Sequence, residues 1–273
     1  MNDGKVSVLM SVYDGETVSN LNTALKSIKK QSYIPDEVII VKDGALKKEL
    51  DDAVSDFAAS FENVNIVPLK KNRGLGIALA AGLRACSHEF VARMDSDDIS
   101  LFERFKIQRE FLLKHKDISA LGSDISEFID EDHILRTKRM PATYEQLYRY
   151  GRFRNPLNHM SVMFRRADIL KVGGYIHFPG LEDYHLWCRL LAGGFKIANT
   201  KMVLIYARLG NSLDFSKRRG GIRYFMQYLR LRFFQLSIGY TNLFEFIGGS
   251  FLSSVICLIP ATFRNVVYKV LRK

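Results

Sequence analysis

The sequence predicts an α/β protein in which a mainly parallel sheet is flanked by helices and followed by a helical extension at the C-terminus. Three observations predict this fold. Short apolar strands alternate with helical repeats over the first hundred residues, short strands recur up to about residue 207, and apolar residues follow a helical period from Gly221 onward. The 273 residues suffice for one large domain and a modest extension.

The alternation is clearest in the first hundred residues. Strands are predicted at 6–13, 37–41, 64–69 and 90–94, and helices at 20–31, 46–61 and 74–85. Parallel sheets of this kind bind ligands at the carboxyl ends of their strands. This rule selects the residues that follow the strands, namely Tyr13, Asp14, Asp43, Gly44, residues 70–74 and residues 95–98.

Beyond Asp98 the pattern is less regular. A helix is predicted at 103–115, strands at 120–128, 134–138, 161–164 and 202–207, a loop at 151–158 and a helix at 183–192. Because no repeat, low-complexity tract or linker interrupts this region, residues 1–215 are predicted to form one domain. Residues 216–273 are predicted to form a separate helical region.

The C-terminal region is basic and amphipathic. Residues 201–273 contain 12 Lys or Arg but only Asp214 and Glu245, in a chain whose formal net charge is +11. One apolar stripe is formed by Ile222, Phe225, Met226, Leu229, Phe233 and Leu236. Since the basic residues lie beside apolar helices and not along an aromatic-studded sheet, the pattern favours an anionic membrane surface over nucleic acid as the partner.

The uncharged segment 246–263 has the minimum length of a transmembrane helix, but Gly248, Gly249 and Pro260 weaken that interpretation. We expect a peripheral or in-plane helix, continued by the basic residues 264–273; a true span and a soluble packed helix remain alternatives. The N-terminus lacks a secretory signal, and the three cysteines lack metal-binding spacing, which is typical of a reducing compartment. The expected location is the cytoplasmic face of the inner membrane.

The segment FVARMDSDD carries the strongest chemical signal. A strand ends in Asp95, Asp97 and Asp98, and side-chain alternation lets Asp95 and Asp97 point to the same side. Two such carboxylates suit a hard ion, Mg²⁺ or Mn²⁺, that neutralises charge on a departing nucleoside diphosphate. The alternative is a solvated acidic turn in which Asp98 or Ser100 caps the next helix.

A second acidic pair, Glu182 and Asp183, begins the apolar helix in PGLEDYHLWCRLLAGG. The pair either caps the helix or supplies a general base that removes the proton of an acceptor hydroxyl as it attacks an anomeric carbon. One base opposite the leaving group predicts inversion through an oxocarbenium-like transition state.

Five motifs in residues 5–215 resemble those of family 2 glycosyltransferases. In order along the chain they are VSVLMSVYDGE, VIIVKDG, NRGLGIALAAGL, ARMDSDD and LEDYHLWCRLL. The resemblance implies the GT-A fold, with a mixed, mainly parallel sheet. It implies that Asp97 is the principal metal ligand, that Asp95 contacts ribose or metal, and that Asp183 is the base. The donor-binding residues that it implies are Val12, Tyr13, Glu16, Asp43, Arg73, Asp95 and Ser96.

The chain departs from the family pattern at two positions. Lys42 stands where many members have the first of two acids, and His185 follows Tyr184 where many have an aspartate. Elsewhere, His159 is expected to face the donor sugar or the metal, with a packed, hydrogen-bonded histidine as the alternative. Arg208, together with Arg218 and Arg219, is expected to close over the diphosphate or a lipid phosphate, with simple attraction to the membrane as the alternative.

The sequence therefore predicts an inverting, metal-dependent glycosyltransferase. It would move a sugar from a nucleoside-diphosphate sugar, with a UDP-sugar as the expected donor, to a saccharide or lipid-linked saccharide in surface polysaccharide biosynthesis. One alternative is a nucleotidyltransferase, although VYDGETVSN lacks the expected Gly-rich, basic signature. Another is a non-catalytic, membrane-associated nucleotide-sugar-binding protein, against which the two intact acidic sets argue.

Overall fold

The computed structural model describes residues 4–129, 134–209 and 220–259. The described residues do not include Arg218, Arg219, the end of the uncharged segment or the basic residues 264–273. The strands are β1 (Val6–Val12), β2 (Glu37–Lys42), β3 (Val64–Pro68), β4 (Phe90–Met94), β5 (Ile99–Ser100), β6 (Ile118–Phe128), β7 (Ile134–Lys138), β8 (Met163–Arg165) and β9 (Lys196–Arg208). The helices are α1 (Val18–Lys29), α2 (Lys48–Ser60), α3 (Leu75–Ala85), α4 (Arg104–Lys114), α5 (Tyr144–Gly151), α6 (Arg166–Lys171), α7 (Glu182–Ala192), α8 (Ile222–Ser237) and α9 (Leu243–Leu258).

The strands form one mixed sheet in the order β3-β2-β1-β4-β8-β6-β9-β5, with β7 paired to β6. Strands β1 to β4, β6 and β9 run in one direction, whereas β5, β7 and β8 run antiparallel to their neighbours. The carboxyl ends of β1, β2, β4, β6 and β9 therefore meet at one edge of the sheet. The predicted mixed, mainly parallel sheet is confirmed.

Helices cover both faces of this sheet, as predicted. In β1, Val8 and Met10 face the layer that contains α1, α2 and α4, whereas Leu9 faces α3 and α7 on the other side. Both layers are closely packed, and Trp187 of α7 is fully buried in the second. The three cysteines are buried, and none of them forms a disulfide bond in the described part of the chain.

Several elements differ from the predicted pattern. Strand β9 begins six residues earlier than expected because it continues alongside β6, where bulges shift the register. Helix α5 was not predicted, although Thr143 and Gln146 form the capping box that marks its start. Periodicity also did not predict the short β5, helix α6 or the 3-10 turn at His159–Ser161, because elements of this length show no complete repeat.

Helices α8 and α9 form an antiparallel hairpin, closed where Gly221 N donates to the Cys257 carbonyl at 2.9 Å. Helix α8 packs on the body of the protein through Leu231, Arg232 and Gln235. The buried Arg232 guanidinium donates to the carbonyls of Arg152 and Phe153 at 2.5 and 2.6 Å. Because any Cβ on Gly249 of α9 would lie 3.1 Å from Arg232 Nε, this glycine allows the two helices to approach closely.

The apolar stripe predicted on α8 is not the face that packs on the body. Ile222, Met226 and Phe233 are exposed, and α9 exposes a continuous apolar face that includes Phe244 at 86% and Phe251 at 70%. Within the described residues, no helix combines the length and the apolar composition that crossing a bilayer requires.

Candidate active site

The aspartates that follow β4 form a compact cluster at the carboxyl edge of the sheet. Asp95, Asp97 and Asp98 each offer a carboxylate oxygen, and these oxygens lie within 4.8 Å of one another. Burial, and then the charges of Asp95 and Glu16, raises the pKa of Asp97 to about 7. Burial and its two aspartate neighbours also raise the pKa of Asp98 well above its usual range. Such mutual repulsion is relieved by a bound cation.

Asp98 is the most buried member of the cluster. Its Oδ1 accepts a hydrogen bond from the backbone N of Arg208 at 2.8 Å. Its Oδ2 is buried and has no hydrogen-bond partner among the described residues. A buried oxygen of this kind, beside two further carboxylates, fits a hard divalent ion.

Arg93 lies beneath this cluster and was not singled out from the sequence. It is 2% exposed and forms an ion pair with Asp95. Its Nε and Nη1 are buried without a partner in the described part of the chain. The sequence does carry a signal for it, because an arginine inside the apolar strand FVARM, two positions before Asp95, must share the side on which Asp95 points.

The predicted nucleoside-binding residues lie on β1, β2 and the turns that follow them. Glu16 accepts a hydrogen bond from Ser96 Oγ at 2.9 Å, which ties the first turn to the aspartate segment. Tyr13 is exposed, so its ring is accessible to a ligand. The Val12 side chain is instead buried in the core, and its carbonyl accepts from Asp43 N at 2.8 Å.

Asp43 is buried and holds the start of the α3 segment. Its two carboxylate oxygens accept from the backbone N of Arg73 at 2.8 Å and of Gly74 at 3.0 Å. The Arg73 side chain is exposed at the same edge. Lys42, by contrast, is paired with Asp51 in the first turn of α2 at 2.5 Å, so its ammonium group already has an acidic partner.

The second acidic pair begins α7. Asp183 is half-buried, and Asn155 Nδ2 donates to its Oδ2 at 2.5 Å. Glu182 is buried, and burial followed by the charge of Asp183 raises its pKa to about 7. A Cβ on Gly76 would lie 2.5 Å from the carbonyl oxygen of Ile176 and 3.2 Å from Glu182 Cβ. The close approach at Gly76 therefore brings the start of α3 against the start of α7.

The two acidic sets share neighbours inside the protein. The charge of Arg93 acts on Asp97, Asp98 and Glu182. The buried Tyr175 phenol, whose pKa is raised mainly by burial, is also influenced by Asp95 and Glu182. The carboxylates that the sequence placed 84 or more residues apart thus converge on one region.

His159 does not belong to the aspartate cluster. Its Nε2 lies 2.9 Å from Tyr175 Oη, and its ring contacts that of Trp187 edge-on at 6.3 Å between centroids. Burial, together with the charge of Arg93, lowers its pKa well below the usual range. These contacts correspond to the packed, hydrogen-bonded alternative, whereas a contact of His159 with the donor sugar or the metal stays a prediction.

Arg208 supports the cluster from β9. Its Nε donates to the Asp97 carbonyl at 3.0 Å, and its guanidinium lies over the Phe128 ring at 4.4 Å. Since its side chain is engaged in this way, its position beside the aspartates is fixed, whereas its expected contact with a diphosphate stays a prediction.

Comparisons with known proteins agree with this geometry. The model of the family described as glycosyl transferase family 2 matches residues 7–172. The amylovoran biosynthesis glycosyltransferase AmsE of Erwinia amylovora is 37% identical over 270 residues, which cover 98% of this chain and 99% of that protein. A UDP-Gal:alpha-D-GlcNAc-diphosphoundecaprenol beta-1,3-galactosyltransferase of Escherichia coli is 36% identical over 269 residues, which cover 97% and 95%.

Two solved structures share the architecture. S. aureus TarS 1-349 in complex with UDP-GlcNAc matches with a TM-score of 0.64 at 18% identity, covering 84% of this chain and 65% of that chain. The mannosyltransferase PcManGT from Pyrobaculum calidifontis, in complex with GDP-Man and Mn²⁺, matches with a TM-score of 0.60 at 15% identity, covering 98% and 80%. At these identities the likeness shows the fold alone.

Proposed function

The chain belongs to glycosyltransferase family 2 and has the GT-A fold, and on this premise we propose that it is an inverting transferase that moves a sugar from a UDP-sugar to a lipid-linked saccharide. The convergence of the aspartate cluster and the Glu182–Asp183 pair on Arg93 and Tyr175 carries this proposal. The pathway is surface polysaccharide biosynthesis, in keeping with the amylovoran and diphosphoundecaprenol relatives. Family membership sets aside the nucleotidyltransferase alternative.

The donor lies along the carboxyl edge in this proposal. Tyr13 and Glu16 border the base and ribose, and Asp43 places Arg73 beside the nucleotide by holding its backbone. Asp95, Asp97 and Asp98 would hold Mn²⁺ or Mg²⁺, because their grouped oxygens suit a hard ion. The ion, when bound, would neutralise charge on the departing diphosphate.

Asp183 acts as the general base. The acceptor hydroxyl attacks the anomeric carbon, its proton passes to the Asp183 carboxylate, and the bond from that carbon to the diphosphate oxygen breaks with inversion. Asn155 orients this carboxylate through a hydrogen bond. Because Asp183 is only half-buried, its carboxylate is accessible to an acceptor. Glu182 is the second candidate, since a carboxyl with a pKa of about 7 is also suited to accept a proton near neutral pH.

Membrane association is part of the proposal. The hairpin of α8 and α9 exposes an apolar face that suits shallow insertion at a membrane surface. We infer peripheral binding at the cytoplasmic membrane face, where a lipid-linked acceptor would be presented.

Three substitutions test the catalytic assignments. Asp97→Ala should abolish transfer and ion-dependent donor binding, because the cluster loses its principal ligand. Asp183→Asn should lower kcat by about 10²-fold or more while UDP binding persists, and Glu182→Gln decides which acid is the base. The measurements are UDP release from a panel of UDP-sugars with and without Mn²⁺, and calorimetric UDP binding.

Asp56→Asn, on the exposed side of α2, is the matched control and should behave as the unmodified protein. Near-normal turnover by Asp183→Asn would remove that residue as the base. Activity that persists in Asp97→Ala or in a chelator would remove the metal from the proposal.

A further inference from the structure

A cleft lies between the segment that leads into α7 and the outer side of α8. It has a volume of about 390 Å³, within the range of small-ligand sites. Its lining residues are His177, Phe178, Pro179, Gln227 and Arg230. No residue proposed for donor binding lies in it.

Both walls of the cleft are fixed by packing. The Phe178 ring contacts that of His185 at 4.8 Å, and His185 stacks on Phe234 of α8 at 3.9 Å. This stack gives His185 a role that an aspartate could not fill. On the same wall, Gly180 has a positive φ of 78° and lies close to the Tyr224 ring, so the segment runs tightly along α8.

The cleft is lined by the segment that leads to the proposed base. The lining segment is separated from Glu182 and Asp183 by only two residues. Glu182 itself is packed towards Gly76, at the start of α3, where Asp43 and Arg73 mark the nucleotide side. The carbonyl of Ile176, the residue before the lining segment, lies against the same glycine. The lining segment and the acidic pair therefore both lie near the start of α3, so an acceptor held in the cleft would be close to the proposed base.

The α8 wall of the cleft is cationic. Arg223, Gln227 and Arg230 are spaced i, i+4 and i+7 and share one side of the helix. Arg223 and Arg230 are exposed, and the sequence of α8 contains no Asp or Glu to neutralise them. Arginine guanidinium groups match phosphate oxygens in geometry and charge.

An apolar strip lies directly beside these arginines. Ile222, Met226 and Phe233 are exposed on the adjacent side of α8, and the strip continues onto α9 through the contact of Phe233 with Phe246. A phosphate group held by the arginines would thus have an apolar path from it towards the face proposed to meet the membrane.

We propose that this cleft binds the diphosphate of a lipid-linked saccharide acceptor. Arg230 and Arg223 contact phosphate oxygens, the lipid follows the strip of Ile222 and Met226, and the saccharide reaches Asp183 past the 177–181 segment. The assignment rests on the proposed sugar transfer, and it names the acceptor subsite for that reaction. The proposed ligand of the cleft is the acceptor diphosphate and not the phosphate group of a bulk phospholipid.

Binding of decyl diphosphate to the purified full-length protein tests the assignment without membranes or turnover. Calorimetry should show that Arg230→Gln weakens binding about fivefold to tenfold, and that the double change Arg223→Gln/Arg230→Gln weakens it further, because charge-assisted contacts are lost. Lys116→Gln, at an exposed lysine before β6, is the matched control. UDP binding should stay unchanged in all three variants, which also confirms that they are folded.

Other outcomes overturn the inference. Equal binding of decyl diphosphate by all variants would exclude the diphosphate subsite. The same conclusion follows if the arginine variants lose as much affinity for neutral decyl maltoside as for decyl diphosphate. An effect of Arg230→Gln that appears only in sedimentation with anionic phospholipid vesicles assigns the arginine to the membrane surface instead. These failures leave UDP-sugar turnover intact, whereas the proposed function fails separately if no UDP-sugar is turned over.

Discussion

At the residue scale, the site depends on a balance between four carboxyl groups and the buried guanidinium of Arg93. Asp95, Asp97, Asp98 and Glu182 all lie within the electrostatic reach of Arg93. Arg93 pairs directly with Asp95, whereas burial, followed by the charges of neighbouring carboxylates, raises the pKa values of Asp97 and Asp98. The cluster is thus prepared for a cation and is costly without one.

Stability without an ion should therefore depend on pH through Asp97. Between about pH 4 and pH 7 the folded protein keeps a proton on this carboxyl that the unfolded chain releases, so the free energy of unfolding falls as the pH rises through this range. Urea unfolding at pH 5 and pH 8 in a chelator measures this fall. Asp97→Asn should reduce it, and Mn²⁺ should restore stability at pH 8 more than at pH 5, because protons compete with the ion.

An equal response of the unmodified protein and Asp97→Asn to pH would show that the carboxyl does not carry this dependence. Equal stabilisation by Mn²⁺ at both pH values would contradict competition between proton and ion at the cluster.

At the element scale, the starts of α3 and α7 can approach closely because Gly76 has no side chain. Gly76 lies against the carbonyl of Ile176 and the Cβ of Glu182, so the helix that begins beside Arg73 is fixed against the helix that carries the acidic pair. The distance between the proposed nucleotide side and the proposed base is set by this contact between helices.

Gly76→Ala should disturb that contact. The new Cβ would overlap a backbone oxygen that cannot rotate away, so we expect destabilisation of about 1–3 kcal/mol and a fall in kcat. Gly248→Ala is the control, because nothing lies within 4 Å of its added Cβ and alanine favours a helix. Thermal unfolding and UDP-sugar turnover check both; an unaltered Gly76→Ala enzyme would show that the contact is not restrictive.

The elements that the sequence predicted well are those with a complete period. The strands before Tyr13, Asp43 and Asp95 were placed within one residue of their ends, and parallel topology then brought their following residues to one edge. Helix α5 and the early start of β9 were missed because a capping box and a register bulge are local features that periodicity does not report. The ion pair of Arg93 and the cleft depend on tertiary contacts, which no single segment encodes.

At the scale of the whole molecule, polarity is divided between two regions. The carboxyl edge of the sheet gathers the acidic groups, and the hairpin of α8 and α9 gathers exposed apolar side chains with arginines at their border. Phe244 and Phe251 are the most exposed large apolar residues of that hairpin. This division suits a protein that handles a charged donor on one side and a lipid surface on the other.

Membrane binding should be lost when the apolar face is made polar. Phe244→Ser/Phe251→Ser is expected to reduce sedimentation with anionic phospholipid vesicles at least tenfold, since inserting each phenylalanine contributes about 1.5–3 kcal/mol. UDP binding should not change, because both side chains point into solvent. Ile34→Ser, at an exposed apolar residue of the α1–β2 connection, is the control. Undiminished sedimentation of the double variant would exclude this face as the anchor.

The guanidinium of Arg232 makes the amphipathic hairpin and the sugar-transferring body interdependent. It supplies hydrogen bonds to the main-chain oxygens of Arg152 and Phe153, and the same segment continues to Asn155, which orients Asp183. A protein ended at residue 215 would lose both hydrogen bonds, at a net cost of about 0.5–1.5 kcal/mol each because water would replace the guanidinium as donor. Truncation near residue 215, where the composition changes, is therefore expected to disturb the site. Catalytic activity should be measured on the full-length chain, which keeps the hairpin.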